Sequence, residues 1–458
     1  MTLPEGWVGA ELAELTSKVG SGATPRGGRE AYGGGSVPLI RSMNVRFEGF
    51  DDEGLAYLDD DQAAALSGVE VHASDVLLNI TGASIGRTCL APDEMSGARV
   101  NQHVCIIRLI ETLPRFVKDY LASPEMQRFI LEENYGLTRQ ALTKSMIEGI
   151  RIPLPPAAEQ RRIVAKLDAL TARLARARAE LDRVPVLAEQ LRISALRGVF
   201  HWKDDLPPGW TRERVDQIGT VQLGRQRSPK DHHGTHMRPY VRSANVTWTG
   251  WDLTDVKEMN FSPDEFATFV LKPGDVLLNE GSGSAKEVGK PLVWKGEIDG
   301  ACFQNTLLRV RPTAYLPELL RYALLYMAKS GKFIENTQGV NIIHIGKTGL
   351  AKTIIPVPPV AEQESLLQSI DRAFARADRL EAEAARARAL IDRLESAILA
   401  RAFRGELVPQ DPNDEPASVL LDRIRAERAA APKAKRGRRA KRTHDDGRVD
   451  WEPRPATG

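Results

Sequence analysis

Two stretches of this sequence match each other, and they constrain everything else. Ala157–Phe200 begins AAEQRRIVAKLDALTARL, and Val360–Phe403 begins VAEQESLLQSIDRAFARA. Each follows nearly the same proline hinge, IPLPP at Ile152 and IPVPP at Ile355. The two align without a gap at an offset of about 200 residues. Solenoid repeats have periods of roughly 20 to 50 residues, so this is one domain plus one long helix, present twice.

Both stretches read as helices. In the first, Ile163, Leu167, Leu170, Leu174, Leu181, Val184, Leu187 and Leu191 recur in steps of three and four. In the second, Leu367, Ile370, Phe374, Ala377, Ala384, Ala387, Ile391, Leu394 and Ile398 repeat that spacing. This is the seam of a coiled coil. The remaining faces are dense in Arg, Glu and Ala, which are helix formers or solvated charges. A helix of about 40 residues spans roughly 60 Å. One small domain cannot cover such a stripe, so the two helices are expected to bury it against each other, antiparallel. Pro185 is expected to kink or interrupt the first of them.

The chain of 458 residues allows about two to four domains. Cys89, Cys105 and Cys302 form no CxxC pair, so neither a disulfide framework nor a zinc site is suggested. No apolar run reaches the length of a membrane span, and MTLPEGWVGAELAEL does not read as a signal peptide, which points to the cytoplasm. Net charge is only +2, so any nucleic-acid surface must be local.

The landmarks recur in order. LPEGW opens the first half, followed by RSMNV at Arg41, the strand SDVLLN, the turn TGASIGR, the strand NQHVCIIRL and a helix over Pro114–Glu133. LPPGW opens the second, followed by RSANV at Arg242, GDVLLN, GSGSAKEVGK, FQNTLLRV and a helix over Pro317–Glu335. The scaffold matches while the loops differ: GSGATPRGGREAYGGG stands against QLGRQRSPKDHHGTHM. One fold carrying two different binding surfaces gives this pattern. After Phe403, a short helix over Ala417–Ala430 precedes a Pro-, Lys- and Arg-rich tail with too little apolar surface to fold. Its run Lys433 to Arg442 reads either as a phosphate contact or as a solvated tail.

Three near-motifs are weak. IGKT at Ile345 lacks the glycine of a phosphate-binding loop, because Asn341 stands there. The lysine of GSGSAKEVGK is followed by Pro291 where a Ser or Thr would bind magnesium. His232, His233 and His236 have no carboxylate or cysteine framework, and beside Arg225, Arg227 and Lys230 they read better as base or phosphate contacts. No motif of an amino-methyltransferase, a nuclease, a GxSxG hydrolase or an HExxH protease is present.

These landmarks, from LPxGW through RSxNV, GDVLLN and the PPxxEQ hinge to the helix ending ARAFRGEL, resemble the specificity subunits of type I restriction-modification systems. The resemblance covers Leu3 to about Ala430. It implies an α+β fold: two similar, mainly β target-recognition domains separated by two long antiparallel helices forming a coiled coil, with pseudo-two-fold symmetry. The domains are expected at 1–156 and 201–359, the spacer helices at 157–200 and 360–405, and a C-terminal extension at 406–458. The resemblance also implies a non-catalytic subunit, with each domain reading half of a bipartite, asymmetric site on double-stranded DNA. The helices would set the spacer and dock two methyltransferase subunits, and motor-nuclease subunits would join for restriction of phage DNA. No cofactor is expected on this chain; S-adenosylmethionine, ATP and magnesium are expected on the partners. A stand-alone nuclease with an unrecognised site and a coiled-coil adaptor without DNA binding are the alternatives.

Base readout favours Arg, Lys, Asn, Gln and His on loops. The candidates in the first half are Arg26, Arg29, Arg41, Asn44, Arg87, Gln102, Thr138, Arg139, Gln140 and Lys144. In the second they are Arg225, Arg227, Lys230, His232, His233, Arg242, Asn245, Lys290, Asn341 and Lys347. Arg41 matches Arg242 and Lys144 matches Lys347, so these should hold phosphates, which both halves need. Unmatched residues should read bases. A solvated surface charge is the alternative for each, and Asn44 and Asn245 can instead bond their own turns.

Overall fold

The computed structural model describes residues 3–24, 34–132, 141–202, 205–228, 230, 232–282, 288–333 and 343–430. The chain divides into two compact units, Met1–Leu174 with Asp392–Gly458, and Ala175–Ile391.

The strands of the first unit are Val8–Glu11 (β1), Thr16–Ser21 (β2), Val37–Ile40 (β3), Ala56–Leu58 (β4), Val76–Asn79 (β5), Thr88–Leu90 (β6), Arg99–Val100 (β7), Val104–Leu109 (β8) and Arg151–Leu154 (β9). Its helices are Asp60–Ala65 (α1), Pro114–Leu121 (α2), Pro124–Glu132 (α3), Lys144–Glu148 (α4) and the start of Ala157–Phe200 (α5). The helix expected over Pro114–Glu133 is thus two helices, because Pro124 cannot donate into a continuing helix. Strand order is β2-β8-β5-β6 in one sheet, β4-β3-β7 in a second and β1-β9 in a third.

The second unit repeats this plan. Its strands are Thr211–Arg214 (β10), Gly219–Leu223 (β11), Met237–Val241 (β12), Lys257–Asn260 (β13), Val276–Asn279 (β14), Gly281–Ser282 (β15), Pro291–Val293 (β16), Cys302–Phe303 (β17), Leu307–Pro312 (β18), Ile343–His344 (β19) and Ile354–Val357 (β20). Its sheets run β11-β18-β14-β16, β13-β12-β17 and β10-β20, the same three orders, with β15-β19 added. Val215–Ile218 (α6), Pro263–Phe269 (α7), Pro317–Lys329 (α8), Lys347–Lys352 (α9), Val360–Phe403 (α10) and Ala417–Ala430 (α11) complete the helices. The four residues of β5 and of β14 are all buried, as a continuous apolar run predicts.

The repeated motifs are repeated because they hold one another. In LPEGW, Trp7 N donates to Pro4 O at 3.2 Å, closing a turn whose Gly6 has φ +79°. Gly209 has φ +82° in LPPGW, and a side chain is strained there. The turns sit on the hinges: a Cβ on Gly6 would meet Pro156 at 3.6 Å, and one on Gly209 would meet Pro359 at 3.3 Å. Trp7 Nε1 then donates to Glu159 Oε2 at 2.9 Å, and Trp210 Nε1 to Glu362 Oε2 at 3.0 Å. The following glutamine ties each hinge to the helix after the Gln-containing strand. Gln160 accepts from Leu113 N at 3.1 Å and donates to Pro155 O at 3.0 Å. Gln363 accepts from Leu316 N at 2.7 Å and donates to Pro358 O at 3.1 Å.

The twin junctions differ in one respect. Glu159 is 1% exposed, whereas Glu362 is exposed. Burial holds the Glu159 carboxyl above its ordinary value of 4.5, against the lowering effect of the Trp7 bond. Its proton is therefore bound more tightly in the native chain than in the unfolded one. That contribution to stability is full below the ordinary value and is lost as pH rises through the raised one. Glu159→Gln is expected to flatten this fall, and urea titrations of both proteins between about pH 4 and pH 7 will read it.

Helices α5 and α10 pair antiparallel within the second unit. Arg192 Nη2 donates to Asp378 Oδ1 and to Glu381 Oε2, each at 2.6 Å, and Arg388 bonds Asp182. Rising numbers on one helix thus meet falling numbers on the other. Ala188 is 1% exposed and Ala377 is fully buried. Around them Leu181, Val184 and Leu191, with Ala384, Ala387 and Ile391, are half-buried.

The seam departs from its sequence reading in three ways. Leu187 and Leu394 are 52% and 50% exposed, and Ala188 takes the inward position. Pro185 does not interrupt α5, which runs unbroken from Ala157 to Phe200. It lies on the exposed side, where water can take the carbonyl it leaves without a donor. Third, at the second unit the helix ends bury their apolar residues in the domain core. Leu196, Phe200 and Ile370 belong to the core of the second unit, with Leu366, Leu367 and Phe374 against it. The Phe374 ring lies 4.9 Å from that of Tyr322 on α8. Phe374→Asp should therefore detach helix from domain, while Ala377→Asp should open the helix pair. Both bury a carboxylate at a cost of several kcal/mol, and crosslinking between cysteines placed at Asp182 and Arg388 separates the two outcomes.

Candidate nucleic-acid interface

Three of the repeated motifs converge in each unit. In the first, Asn79 at the end of β5 donates from Nδ2 to Ser42 O at 2.8 Å, tying the GDVLLN-type strand to the RSMN turn. Ile80 N donates to His103 O at 2.9 Å, and Leu142 N to Ile80 O at 2.9 Å. In the second, Glu280 N donates to Thr306 O at 3.0 Å, Ile345 N to Glu280 O at 2.8 Å, and Ser243 N to Thr306 Oγ1 at 3.0 Å. RSxN, the glycine turn and the Gln-containing strand thus share one edge of each unit. In the first unit they line an open concavity with Ser42, Met43, Thr81, Ser84, Arg87 and His103 on its wall.

The candidates fall into groups. Arg26, Arg29, Thr138, Arg139, Gln140 and Asn341 lie outside the described residues. Arg41 and Arg242 occupy the same place, each before a single 3₁₀ turn. Arg41 reaches Gly54 O, and Arg242 reaches Asp255 Oδ2 at 2.6 Å. Arg87 is exposed on the concavity, and its twin Lys290 lies 5.7 Å from the Trp248 ring, which Lys329 also covers at 4.4 Å. Lys144 and Lys347 open the matched helices α4 and α9; Lys144 is 64% exposed and 3.5 Å from Glu148 Oε1, and Lys347 is exposed. Gln102 is exposed beside His103. Arg225 is held by Glu265 at 2.8 Å and lies over Phe261. Arg227 Nε donates to His232 Nε2 at 3.1 Å, and Lys230 and His233 are exposed in the same loop.

Asn44 and Asn245 do not face outward. Asn44 is fully buried and Asn245 is 2% exposed. Asn44 Oδ1 accepts from Arg41 N at 3.0 Å, and its Nδ2 donates to Asp51 O at 2.8 Å. Asn245 repeats both bonds with Arg242 and Asp252 at 3.0 and 2.8 Å. Their geometry is that of turn residues bonding their own loop.

Among the described residues, no three His, Cys, Asp or Glu side chains are grouped to hold a metal. Burial pushes the thiols of Cys89, Cys105 and Cys302 up to about 12, which leaves them protonated and unreactive. Sequence reading missed His103, Glu280, His344 and Trp248. Glu280 and His344 are brought together by the β15–β19 pairing, with His344 Nδ1 and Glu280 Oε2 2.7 Å apart.

A family model described as the type I restriction modification DNA specificity domain matches residues 4–183. The chain is 25% identical to the type I restriction enzyme EcoKI specificity subunit of Escherichia coli (strain K12), over 95% of this chain and 98% of that one. It is 23% identical to the StySPI specificity subunit of Salmonella potsdam, over 95% and 98%. In fold it is similar to the HsdS subunit from Thermoanaerobacter tengcongensis, with a TM-score of 0.58 and 23% identity over 89% of this chain and 99% of that one. A chain solved for complex assembly and conformational transition of the type I R-M system gives a TM-score of 0.65 and 24% identity, covering 89% and 100%. The duplicated sheets and matched hinges thus accompany a similarity to type I restriction-modification specificity subunits that spans 95% of the chain.

Proposed function

We propose that this chain is the DNA-recognition subunit of a type I restriction-modification complex. Two recognition domains, residues 1–156 and 201–359, each read one half of a bipartite site. The observation that supports this best is one scaffold present twice, with matched cations at its converging edge and different polar side chains between them. Arg41 with Arg242, Arg87 with Lys290, and Lys144 with Lys347 serve as phosphate contacts common to both halves. The unmatched residues supply different base contacts, so the half-sites are unlike.

The paired helices set the spacing and offer apolar residues to modification subunits. Val186, Leu187 and Leu390 are 61%, 52% and 61% exposed, which a solitary helix pair has no use for. Methylation and cleavage belong to the partners, with S-adenosylmethionine, ATP and magnesium. No helix among the described residues is long and apolar enough to cross a membrane, and the proposed partners and DNA place the chain in the cytoplasm.

The test replaces residues 1–156 with the first domain of another specificity subunit and maps methylation in cells. One half-site should change and the other persist; a change in both, or cleavage by the isolated chain with magnesium, overturns the reading. Binding should also weaken steeply with salt. Lys144→Ala and Lys347→Ala should each lower the slope of log K against log salt by about 0.9.

A further inference from the structure

At one matched place the two units carry an imidazole from opposite directions. In the first unit it is His103, from the start of β8, and its Nδ1 lies 2.5 Å from Thr81 Oγ1 in the glycine turn. Its Nε2 lies 3.0 Å from Gln102 Nε2. In the second unit Thr306 occupies the position of His103, and the imidazole comes instead from β19. Gly281 is the counterpart of Thr81, two residues past the matched strands, and it pairs with His344. In the first unit Thr81 bridges Ala141 at the same position. The partner differs as well: Glu280 replaces Ile80 and sits 2.7 Å from His344 Nδ1.

The scaffold around this place is the same in both units, as the backbone bonds of Ile80 and Glu280 show. Only the chemistry has been exchanged. A phosphate contact needs the same charge in both halves, whereas a base contact must differ if the half-sites differ.

We propose that the Glu280–His344 pair, and in the first unit His103 with Thr81 and Gln102, is the base-reading contact of its domain, and that Glu280 selects a base presenting an amino group in the major groove. This rests on the DNA-recognition reading above. An ionised carboxylate only accepts hydrogen bonds, and it repels phosphate. Next to duplex DNA its favourable partners are cytosine N4 and adenine N6. The Glu280 side chain is 19% exposed and its backbone is bonded on both sides, so it is aimed before DNA arrives. His344 donates from Nδ1 to the carboxylate, fixing its tautomer and leaving Nε2 as an acceptor for a neighbouring base edge.

The experiment expresses the full chain with its modification partners and maps methylated sites for wild type, Glu280→Ala, Glu280→Gln and His344→Gln. Glu280→Ala should relax one position of one half-site that requires cytosine or adenine, with discrimination there falling about tenfold or more. Glu280→Gln keeps an acceptor and should keep most of the preference. His344→Gln should relax the same position or its neighbour, and the other half-site should be unchanged in all three. An unaltered motif in Glu280→Ala overturns the proposal. So does equal loss at both half-sites, or loss of all methylation in every variant, since each marks a structural role. If wild type directs no methylation to any bipartite site, the recognition reading itself fails, which is a separate result.

Discussion

Replacing Arg311 with methionine is expected to destabilise the second unit by about 3–5 kcal/mol. The reason lies in its partner. Asp275 opens the GDVLLN strand with its side chain 1% exposed. Its oxygens accept from Arg311 Nε and Nη2 at 2.6 and 2.7 Å and from Lys272 N at 2.8 Å. Arg311 Nη2 also donates to Val270 O at 3.1 Å. Methionine fills most of the volume and none of the bonds, so the buried carboxylate loses the guanidinium that binds it. The first unit offers an internal control. Arg108 holds Asp75 through Nε and Nη2 at 2.8 and 2.7 Å, with the Asp75 side chain 2% exposed. Arg108→Met should cost the first unit a similar amount. Denaturant unfolding should show one transition displaced in each variant, and adding Asp275→Asn to Arg311→Met should recover part of the loss. Equal displacement of both transitions, or a change below about 1 kcal/mol, would show that the pair is dispensable.

The aspartate–arginine pair also shows what a sequence hides. The hinges and long helices are legible because each is a contiguous string, read twice. Their function as a joint is less so: that Trp7 meets Glu159 and Trp210 meets Glu362 follows only when the separation of 152 residues in each is folded up. Asp275 and Arg311 are 36 residues apart and sit in strands that read as plain apolar runs. The clue was their recurrence as Asp75 and Arg108 in the aligned halves. At the candidate interface, the equivalence of Arg41 and Arg242 was legible because both stand in the repeated RSxN string, and each precedes the same 3₁₀ turn. Asn44 and Asn245 could be read both ways, because a buried turn asparagine and an exposed base-reading asparagine look alike in a string. Glu280 was invisible for a different reason. Its meaning comes from His344, 64 residues away, and from having an isoleucine as its twin. The left-handed turn before each GDVLLN-type strand is another case: Gly274 has φ +92°, and Ser74 takes φ +66° at the same place. Backbone bonds around Asp75 and Asp275, not the residue type, impose that turn.

Ile424→Asp is expected to undock α11 and to remove the pH dependence assigned to Glu159. After Phe403 the chain returns across the first unit: Ala417 N donates to Gly6 O at 2.9 Å, and Arg162 holds Asp414 at 2.6 Å. Arg425 Nη2 then donates to Glu14 Oε1 at 2.7 Å. On the helix, Ala417 and Ile424 are fully buried, and Leu420 and Leu421 are 2% and 5% exposed. Burying Leu420, Leu421 and Ile424 contributes about 1.5–3 kcal/mol each, from which the ordering of the segment must be subtracted. The exposed ion pairs add little. A carboxylate at Ile424 cannot be buried unpaired, so the helix will leave, and the loss is capped at its net docking energy of a few kcal/mol. The second unit supports the link to Glu159. At its equivalent junction the glutamate, Glu362, is exposed. Without α11 and Asp414, water reaches Glu159, the desolvation that raises its carboxyl falls, and the neighbouring negative charge goes with it. Ile424→Asp should therefore flatten the same pH window that Glu159→Gln flattens, and the double variant should add nothing further. Limited proteolysis between residues 404 and 430 reads the undocking directly. If cleavage rises while the pH dependence persists, the carboxyl is buried by the hinge alone and the strap has no part in it.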